Sequence, residues 1–507
     1  MTDHLIIFHY HFLPGGVTQV ILESVRSVIC NIPTIKKITL ICGREDNTGK
    51  FLSDCKENNP ENASVEIICR VLPEFDYTVP GNQTDDHISV LKKSFSAFDP
   101  DAVWWIHNYH LGKNPPFTQV LLEWIQDHQE QKILLHIHDF PECSRYDNLT
   151  DLQAAVKLPL YPKTKNIRYI TINSRDRSIL IASGLPENQV FLLNDPVEEY
   201  TREDIDPEQT RKAVREYFGT KDPLLFFPVR TIRRKNVLEA GLLSRLCLNP
   251  AFLIVTLPGI SEKEKPYSDV VEDCFNENLI RGAWGTGVRT GTPPFADLIS
   301  AVDAVISSSV QEGFGYLFIN ALQWRKPLIA RSLPILEGIT GIFAGHPHFF
   351  YPGVNVPADR QEKKELRKQY KEKFKKLTMH LPPEILKPLS IELEEILGKD
   401  SIDFSYLSVP QQVSILRKIE DSGFRKEISS GNREVLRKIE GLIESGGTDF
   451  AERVNAVFGL SAFANELERI FDSFNQELII AHQKETDIER NIITHFARLE
   501  NLRLLYE

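Results

Sequence analysis

Short apolar runs alternate with longer segments of helical periodicity in the first part of the chain. The runs are rich in Ile, Leu, Val and Trp and occupy residues 5–8, 38–41, 65–68, 102–106, 133–135 and 169–172. Apolar strands separated by helices are typical of a parallel sheet that helices cover on both faces. The pattern predicts a doubly wound α/β domain over residues 1–197, which ends after the turn signal Asn194-Asp195-Pro196.

The same alternation starts again at the apolar run 224–227. Helices are predicted over 235–248 and directly after Gly315, and further strands at 252–256, 303–306 and 327–330. These elements predict a second doubly wound domain over residues 198–350.

The last third of the chain reads as charged helices, near 359–377, 411–426, 433–445, 462–475 and 477–505. We assign 351–450 to a mostly helical, charged insertion and 451–507 to C-terminal helices. The helix at 359–377 combines an apolar stripe with many basic residues. Because the chain as a whole is acidic, a solvated surface helix is favoured there over a helix that docks anionic lipid or an acidic partner.

Size, charge and cysteine content narrow the classes of function. The chain has 507 residues, 42% of them hydrophobic, and a chain of this length is longer than a single hydrophobic core usually supports. Its net charge of −11 disfavours binding to nucleic acid and to anionic membranes. The seven cysteines lack C-x-x-C spacing, and neither a signal peptide nor a membrane-spanning run is recognisable. We predict a cytoplasmic protein without stable membrane insertion.

Glycine turns stand at two places where a predicted strand leads into a helix. Gly15 and Gly16 precede an apolar-periodic helix, so a ligand could approach the backbone and the positive end of the helix dipole; an ordinary turn is the alternative. At residues 312–316, Glu-Gly-Phe-Gly-Tyr joins a carboxylate to a glycine turn and a helix start. That arrangement presents backbone N–H groups to a phosphate.

Basic residues follow the first predicted strand of the second domain. Arg230 and Lys235 would lie at the carboxyl end of a parallel strand, where such folds bind ligands, and could meet a pyrophosphate. Arg233 and Arg234 are expected to be solvated. A simple surface turn explains the cluster equally well.

Histidines follow two strands of the first domain: His107, His110, His136 and His138, with Asp139 next to the last. Such a set could bind zinc. Strand-end histidines more often make polar contacts to a ligand or to the backbone, so we predict no metal.

Together, the order of these motifs resembles the retaining GT-B glycosyltransferases of family 4, the glycogen-synthase and sucrose-synthase type also called glycosyl transferases group 1. The motifs are Pro-Gly-Gly-Val at 14–17, His138-Asp139, Asn-Asp-Pro-Val at 194–197, Arg230 with Lys235, and Glu-Gly-Phe-Gly at 312–315. The likeness covers roughly residues 1 to 345 and returns at 458–471. It implies a GT-B fold, with two Rossmann-like domains facing a cleft and a helical C-terminal extension.

The resemblance also implies roles for individual residues. Arg230 and Lys235 would stabilise the leaving diphosphate, Glu312 would contact the transferred sugar, and His138 would line the sugar pocket. Donor and nucleotide contacts would come from Gly15, Gly16, Gly313, Phe314, Gly315, Tyr316 and Asn320. At Asn320 the family has a second glutamate that holds the ribose hydroxyls, so weaker nucleotide binding, an unusual donor or a degenerate site are open; the retained charged residues favour activity.

The function implied is retaining, metal-independent transfer of a sugar from a UDP, ADP or GDP sugar to the hydroxyl of a soluble sugar or small-molecule acceptor, without a cofactor. A homo-oligomer is compatible with the sequence. A phosphorylase or trehalose-type disaccharide synthase on the same scaffold is the first alternative, and a non-catalytic relative that binds a partner protein is the second. We expect the choice of acceptor to depend on loops such as 43–64, 73–88 and 108–117, in which no motif is recognisable.

Overall fold

Two parallel β-sheets organise the computed structural model, which describes residues 3–57, 65–78, 85–200, 206–476 and 486–506. The first sheet belongs to unit 1, formed by Met1–Glu198 and Asn455–Ala497, and the second to unit 2, formed by Glu199–Val454 and Arg498–Glu507. Two doubly wound sheets are what the alternation of apolar runs and helices predicts.

The sheet of unit 1 is parallel throughout, in the order β3-β2-β1-β4-β5-β6-β7. Its strands are β1 His4–Phe8, β2 Lys37–Cys42, β3 Glu66–Val71, β4 Val103–His107, β5 Ile133–Ile137, β6 Ile167–Thr171 and β7 Val190–Leu192. Its first helices are α1 Gly16–Asn31, α2 Thr48–Glu57, α3 Asp85–Ser96, α4 Pro115–Asp127, α5 Tyr146–Ala155 and α6 Ser174–Ala182. Every predicted strand of this domain is present. The strands β1, β4, β5 and β6 are buried along their whole length, whereas β3, at the edge of the sheet, is partly exposed.

The main sheet of unit 2 has the order β10-β9-β8-β11-β12-β13 and is also parallel. Its strands are β8 Leu224–Arg230, β9 Phe252–Leu257, β10 Gly282–Trp284, β11 Ala304–Ser307, β12 Leu328–Arg331 and β13 His348–Tyr351. The short strands β14 Asn355–Pro357 and β15 Ser401–Asp403 form an antiparallel pair. The periodicity did not identify β10, β13, β14 or β15, since short strands carry little pattern of their own.

The remaining helices follow the chain through unit 2 and back to unit 1. They are α7 Pro207–Phe218, α8 Val237–Leu246, α9 Lys265–Asn276, α10 Phe295–Ala301, α11 Tyr316–Gln323, α12 Arg360–Leu377, α13 Pro383–Leu397, α14 Val409–Lys418, α15 Ser422–Gly431, α16 Arg433–Ile443, α17 Ala451–Phe458, α18 Leu460–Ser473 and α19 Thr486–Phe496. Among the described residues, no helix is both long and apolar enough to cross a bilayer.

Some helix predictions were wrong in their extent. The single helix expected near 411–426 is two helices, because the Asp421 carboxylate accepts a hydrogen bond from the Phe424 N–H and starts α15 anew. Of the helix expected over 477–505, residues 486–496 are α19 and residues 477–485 lie outside the described part of the chain. Helix α13, with Pro388 inside it, was not predicted.

Apolar helix faces explain where the C-terminal helices pack. In unit 1, α18 lies against α1: Phe463 and Leu467 join the core formed by Ile21, Val25 and the strands. In unit 2, the apolar stripe of α12 is buried, so that helix is part of the core on one side and basic and exposed on the other.

A buried ionic network ties together the elements that support the carboxyl edge of the unit 2 sheet. The Arg331 guanidinium, at the end of β12, donates to the carboxylates of Glu239 at 2.6 Å and Asp403 at 2.8 Å, and its side chain is only 3% exposed. The Tyr351 hydroxyl also donates to Glu239, at 2.9 Å. The network therefore connects α8, β12, β13 and β15.

We expect Arg331→Met to lower the free energy of unfolding by about 3 to 5 kcal/mol, because it leaves Glu239 buried without its cation. Denaturant unfolding measures this. The control is Arg367→Met, which breaks an exposed pair with Glu394 at 2.8 Å, and should cost less than about 1 kcal/mol. Equal losses in the two variants would contradict a special role for the buried network.

Candidate active site

The charged residues of unit 2 gather where two neighbouring strands end. Arg230 closes β8, Lys235 lies in the turn before α8, and Glu312 follows β11, which pairs with β8. The two loops are hydrogen-bonded to each other: the Val310 N–H donates to the Arg234 carbonyl at 2.8 Å and the Ser308 hydroxyl to that of Asn236 at 2.9 Å. Strand pairing thus brings positions distant in sequence to one edge.

Lys235 and Glu312 form an ion pair between Nζ and Oε1. Arg234 adds a second cation, with Nη1 3.6 Å from Glu312 Oε2. The side chains of Lys235 and Glu312 are only 14% and 11% exposed. Burial by itself raises the pKa of Glu312, but the charges of Lys235 and Arg234 and the hydrogen bonds of the carboxylate outweigh it, so the pKa lies below its usual value. The Glu312 carboxylate is therefore ionised at neutral pH.

From the sequence, Arg234 was expected to be solvated and was not identified as part of this site. Only its position next to Lys235 could have drawn attention to it. Arg230 stays outside the ion pair: its side chain is 40% exposed, and Nη1 lies 3.9 Å from Glu264 Oε1. Its guanidinium remains accessible to an anion from solvent.

The glycine turn after Glu312 is required by the backbone. Gly315 has φ of 89°, in the left-handed region, and a Cβ there would meet Phe318 Cδ2 at 2.7 Å. Gly313 and the buried Phe314 lead into this turn, and Gly315 is the N-cap of α11, whose first residue is Tyr316. The positive end of the α11 dipole thus lies close in sequence to Glu312, one member of the ion pair. Asn320, one turn further along α11, is half-buried.

Gly15 and Gly16 are placed as predicted, at the start of α1 after β1. Both are exposed, and a Cβ at Gly16 would meet no atom within 4 Å. The helix has no side-chain cap at this end. Packing does not demand glycine at 16, and the helix N-terminus is open to a ligand.

Three of the predicted histidines form one buried group at the carboxyl edge of the unit 1 sheet: His107, His136 and His138. His107 Nδ1 lies 2.9 Å from His138 Nε2, and the Trp105 indole donates to His136 Nδ1 at 3.2 Å. Burial lowers the pKa of His138 to about 4, and it lowers those of His107 and His136 well below the usual range. The imidazoles are neutral at pH 7 and suited to hydrogen bonding with uncharged hydroxyls.

A metal could be held by the same group, since one ring nitrogen from each of the three imidazoles lies within 4.8 Å of the others. The other two residues of the zinc alternative lie elsewhere. His110 packs against the rings of Phe140 and Tyr161, and the Asp139 carboxylate pairs with Arg145 at 3.0 Å. Asp195 approaches instead, with Oδ1 3.9 Å from His138 Nδ1. That the protein needs no metal stays a prediction.

Known proteins resemble the chain along its whole length. It is 31% identical over 524 residues to mannosylglucosyl-3-phosphoglycerate synthase of Petrotoga mobilis, and the alignment covers 99% of each chain. No protein-family model matches it.

Solved structures of glycosyltransferases share its fold. HepE of Anabaena, in complex with UDP and glucose, has a TM-score of 0.52 at 12% identity and covers 92% of this chain and 99% of its own. Sucrose-phosphate synthase of Thermosynechococcus elongatus has a TM-score of 0.51 at 12% identity, with 94% and 99% covered. The predicted GT-B fold class, two parallel-sheet Rossmann-like domains with helices, is confirmed.

The buried histidines should make the free energy of unfolding depend on pH. His110 is fully buried, and burial lowers its pKa to about 3. Below pH 6.5 the unfolded chain binds a proton there while the folded chain does not, so stability falls as the pH falls. We expect His110→Phe to remove about 2 kcal/mol of the loss in the free energy of unfolding between pH 7 and pH 5.

Denaturant unfolding at pH 7 and pH 5 measures that difference. His128→Phe, at an exposed position of the same unit, is the control. An identical loss in wild type and His110→Phe would refute this assignment.

Proposed function

This chain belongs to the glycosyltransferase family of mannosylglucosyl-3-phosphoglycerate synthase, and we propose that it moves a sugar, with retention of anomeric configuration, from a nucleotide-diphosphate sugar to a hydroxyl of a soluble, phosphorylated acceptor. The relative's product carries a mannosyl group on glucosyl-3-phosphoglycerate. The corresponding reaction here transfers a mannosyl group to glucosyl-3-phosphoglycerate.

The observation that carries the proposal is the convergence of Lys235, Arg234 and Glu312 beside the glycine turn of α11. A leaving nucleoside diphosphate concentrates negative charge on its phosphates. Lys235 and the accessible Arg230 supply cations for it, and the N-terminus of α11 adds its dipole. Glu312, ionised and held by Lys235, is oriented as an acceptor of hydrogen bonds from the hydroxyls of the transferred sugar.

The proposed chemistry takes place on one face of the donor sugar. The bond between the anomeric carbon and the diphosphate oxygen breaks, and the acceptor oxygen bonds to that carbon from the same side, which retains the configuration. The leaving phosphate oxygen takes the acceptor's proton. The step needs charge stabilisation more than a strong base, and the basic groups do the work that Mg²⁺ does in other transferases.

His138 and Asn320 have the remaining proposed roles. His138, neutral and hydrogen-bonded to His107, contributes an imidazole to the recognition of uncharged sugar hydroxyls. Asn320 takes the place of the ribose-binding glutamate. Its side-chain amide can accept a hydrogen bond from one ribose hydroxyl and donate one to the other. These neutral hydrogen bonds contribute about 1 kcal/mol less to the binding free energy than those of a carboxylate would.

The function is tested with purified full-length protein and a panel of donors: GDP-mannose, UDP-glucose, ADP-glucose and sugar 1-phosphates, each with glucosyl-3-phosphoglycerate. Transfer from a nucleotide sugar, with the anomeric configuration kept in the product by NMR and turnover unchanged by EDTA, is expected. Turnover with sugar 1-phosphates alone would support a phosphorylase. The absence of both turnover and thermal stabilisation by nucleotides would support a non-catalytic binding protein.

Arg230→Ala and Lys235→Ala should each reduce kcat about a hundred- to a thousandfold, because each removes a charge that stabilises the leaving diphosphate, worth about 3 to 4 kcal/mol. Initial rates at saturating donor measure this. Arg233→Ala, in the same turn, is the matched control and should keep most of the activity. Retained turnover in both Arg230→Ala and Lys235→Ala would refute the assignment of these residues.

A further inference from the structure

The turn that carries Lys235 ends on a residue with a left-handed backbone. Residues Arg233–Lys235 form one turn of 3₁₀ helix, and Asn236 follows with φ of 49° and ψ of 46°. Asparagine enters this region more readily than most residues that have a Cβ, but the conformation still needs support from its surroundings. Because Asn236 is also the N-cap of α8, its conformation sets how the turn joins that helix.

The support comes from the side chain of Asn236, which is fully buried. Its Nδ2 donates to Glu239 Oε2 at 2.8 Å, and its Oδ1 accepts from Gln412 Nε2 at 3.2 Å. The Glu239 carboxylate also accepts from Arg331 Nε and Nη2 and from the Tyr351 hydroxyl. Since Glu239 acts only as an acceptor there, the orientation of the Asn236 amide is fixed.

Gln412 connects the charged helical region, residues 351–450, to this turn. It lies in α14 and is fully buried, and its amide nitrogen donates to the Phe404 carbonyl at 3.0 Å as well as to Asn236. Phe404 directly follows Asp403, whose carboxylate pairs with Arg331. Asn236 is therefore tied to the Arg331 network from two directions.

The same turn is joined on another side to the loop that carries Glu312. The Ser308 hydroxyl lies 3.2 Å from the Lys235 carbonyl and 2.9 Å from that of Asn236. Lys235 Nζ pairs with the Glu312 carboxylate. The backbone of Lys235 is thus held between the loop after β11 and the buried amides of Asn236 and Gln412.

We propose that Asn236 and Gln412 are positioning residues for Lys235, and that the helical region 351–450 acts through them in the transfer reaction. This assignment rests on the proposed function, in which Lys235 stabilises the leaving diphosphate. A cation stabilises developing charge best when it is already in place, because no reorganisation is then needed during the reaction. Asn236 supplies the backbone conformation of the turn, and Gln412 holds the Asn236 side chain.

The test uses full-length protein with GDP-mannose and glucosyl-3-phosphoglycerate. Asn236→Gly keeps the left-handed backbone without strain and removes both side-chain hydrogen bonds. We expect kcat to fall about tenfold, because a small displacement of a reacting group can cost up to about a hundredfold in rate. The donor KM should change much less, since Arg230 and the α11 N-terminus are untouched. Gln412→Met should change kcat in the same direction.

Asn432→Gly is the matched control. Asn432 is a buried asparagine of the same unit, and its amide bonds to the backbone of Asn355 and Ile428, not to the turn. This variant should keep the kcat of wild type. Thermal melts of all three variants separate a displaced lysine from a loss of folding. An equal loss of kcat in Asn236→Gly and Asn432→Gly would contradict a specific role for Asn236.

A double-mutant cycle tests whether Asn236 acts through the lysine. In a Lys235→Ala background, Asn236→Gly should reduce kcat no further, because the group that it positions is already absent. Independent effects that multiply in the double variant would overturn the assignment.

The environment of Lys235 can also be followed without turnover. Acetic anhydride acetylates accessible lysine amines, and peptide mass spectrometry gives the rate at each lysine. Because the Lys235 side chain is only 14% exposed and ion-paired, we expect slow labelling in wild type. Labelling should be severalfold faster in Asn236→Gly and Gln412→Met but not in Asn432→Gly. Unchanged labelling of Lys235 in the first two variants would refute the positioning role.

The two readouts distinguish this inference from the proposed function. If wild type turns over no donor but Lys235 is labelled faster in the two variants, the positioning stands and the proposed reaction fails. If wild type transfers the sugar and both variants match it in kcat and in labelling, the positioning fails and the reaction stands.

Discussion

Parallel pairing of the strands is the constraint on which the sites of this protein depend. Because all strands of a main sheet run in one direction, the loops after their carboxyl ends leave from a single edge. Apolar runs that helices bury on both faces hold the strands in that arrangement. The pairing of β8 with β11 places Lys235 beside Glu312, and the pairing of β4 with β5 places His107 beside His136.

The two units use different electrostatics at their edges. In unit 2, partly buried charges are paired, and Glu312 is kept ionised by Lys235 and Arg234. In unit 1, burial disfavours the charged form of the imidazole and keeps His107, His136 and His138 neutral. Charged groups suit phosphates, and neutral donors and acceptors suit sugar hydroxyls. A glycosyltransferase has to recognise both kinds of group.

The last third of the chain supports both units. Helix α18 returns to α1 and completes the apolar core of unit 1, while Asp403, far beyond the second sheet in sequence, neutralises Arg331 at the end of β12. Arg331 in turn holds Glu239 near the start of α8, and the Asn236 side-chain amide, at the N-cap of that helix, donates to the Glu239 carboxylate. Residues of the charged helical region thus stabilise the turn that presents Lys235.

The sequence by itself determined the two doubly wound sheets, nearly all of their strands, and the candidate positions Gly15, Gly16, Arg230, Lys235, Glu312 and His138, because periodicity and strand-to-helix turns are local properties of the chain. Only the tertiary structure decided that Arg234 joins Glu312, that Arg331 pairs with Glu239 and Asp403, and that Gln412 donates to Asn236. Those contacts join segments that are far apart in the sequence. Their formation depends on strand order and loop conformation, which no local pattern of residues specifies.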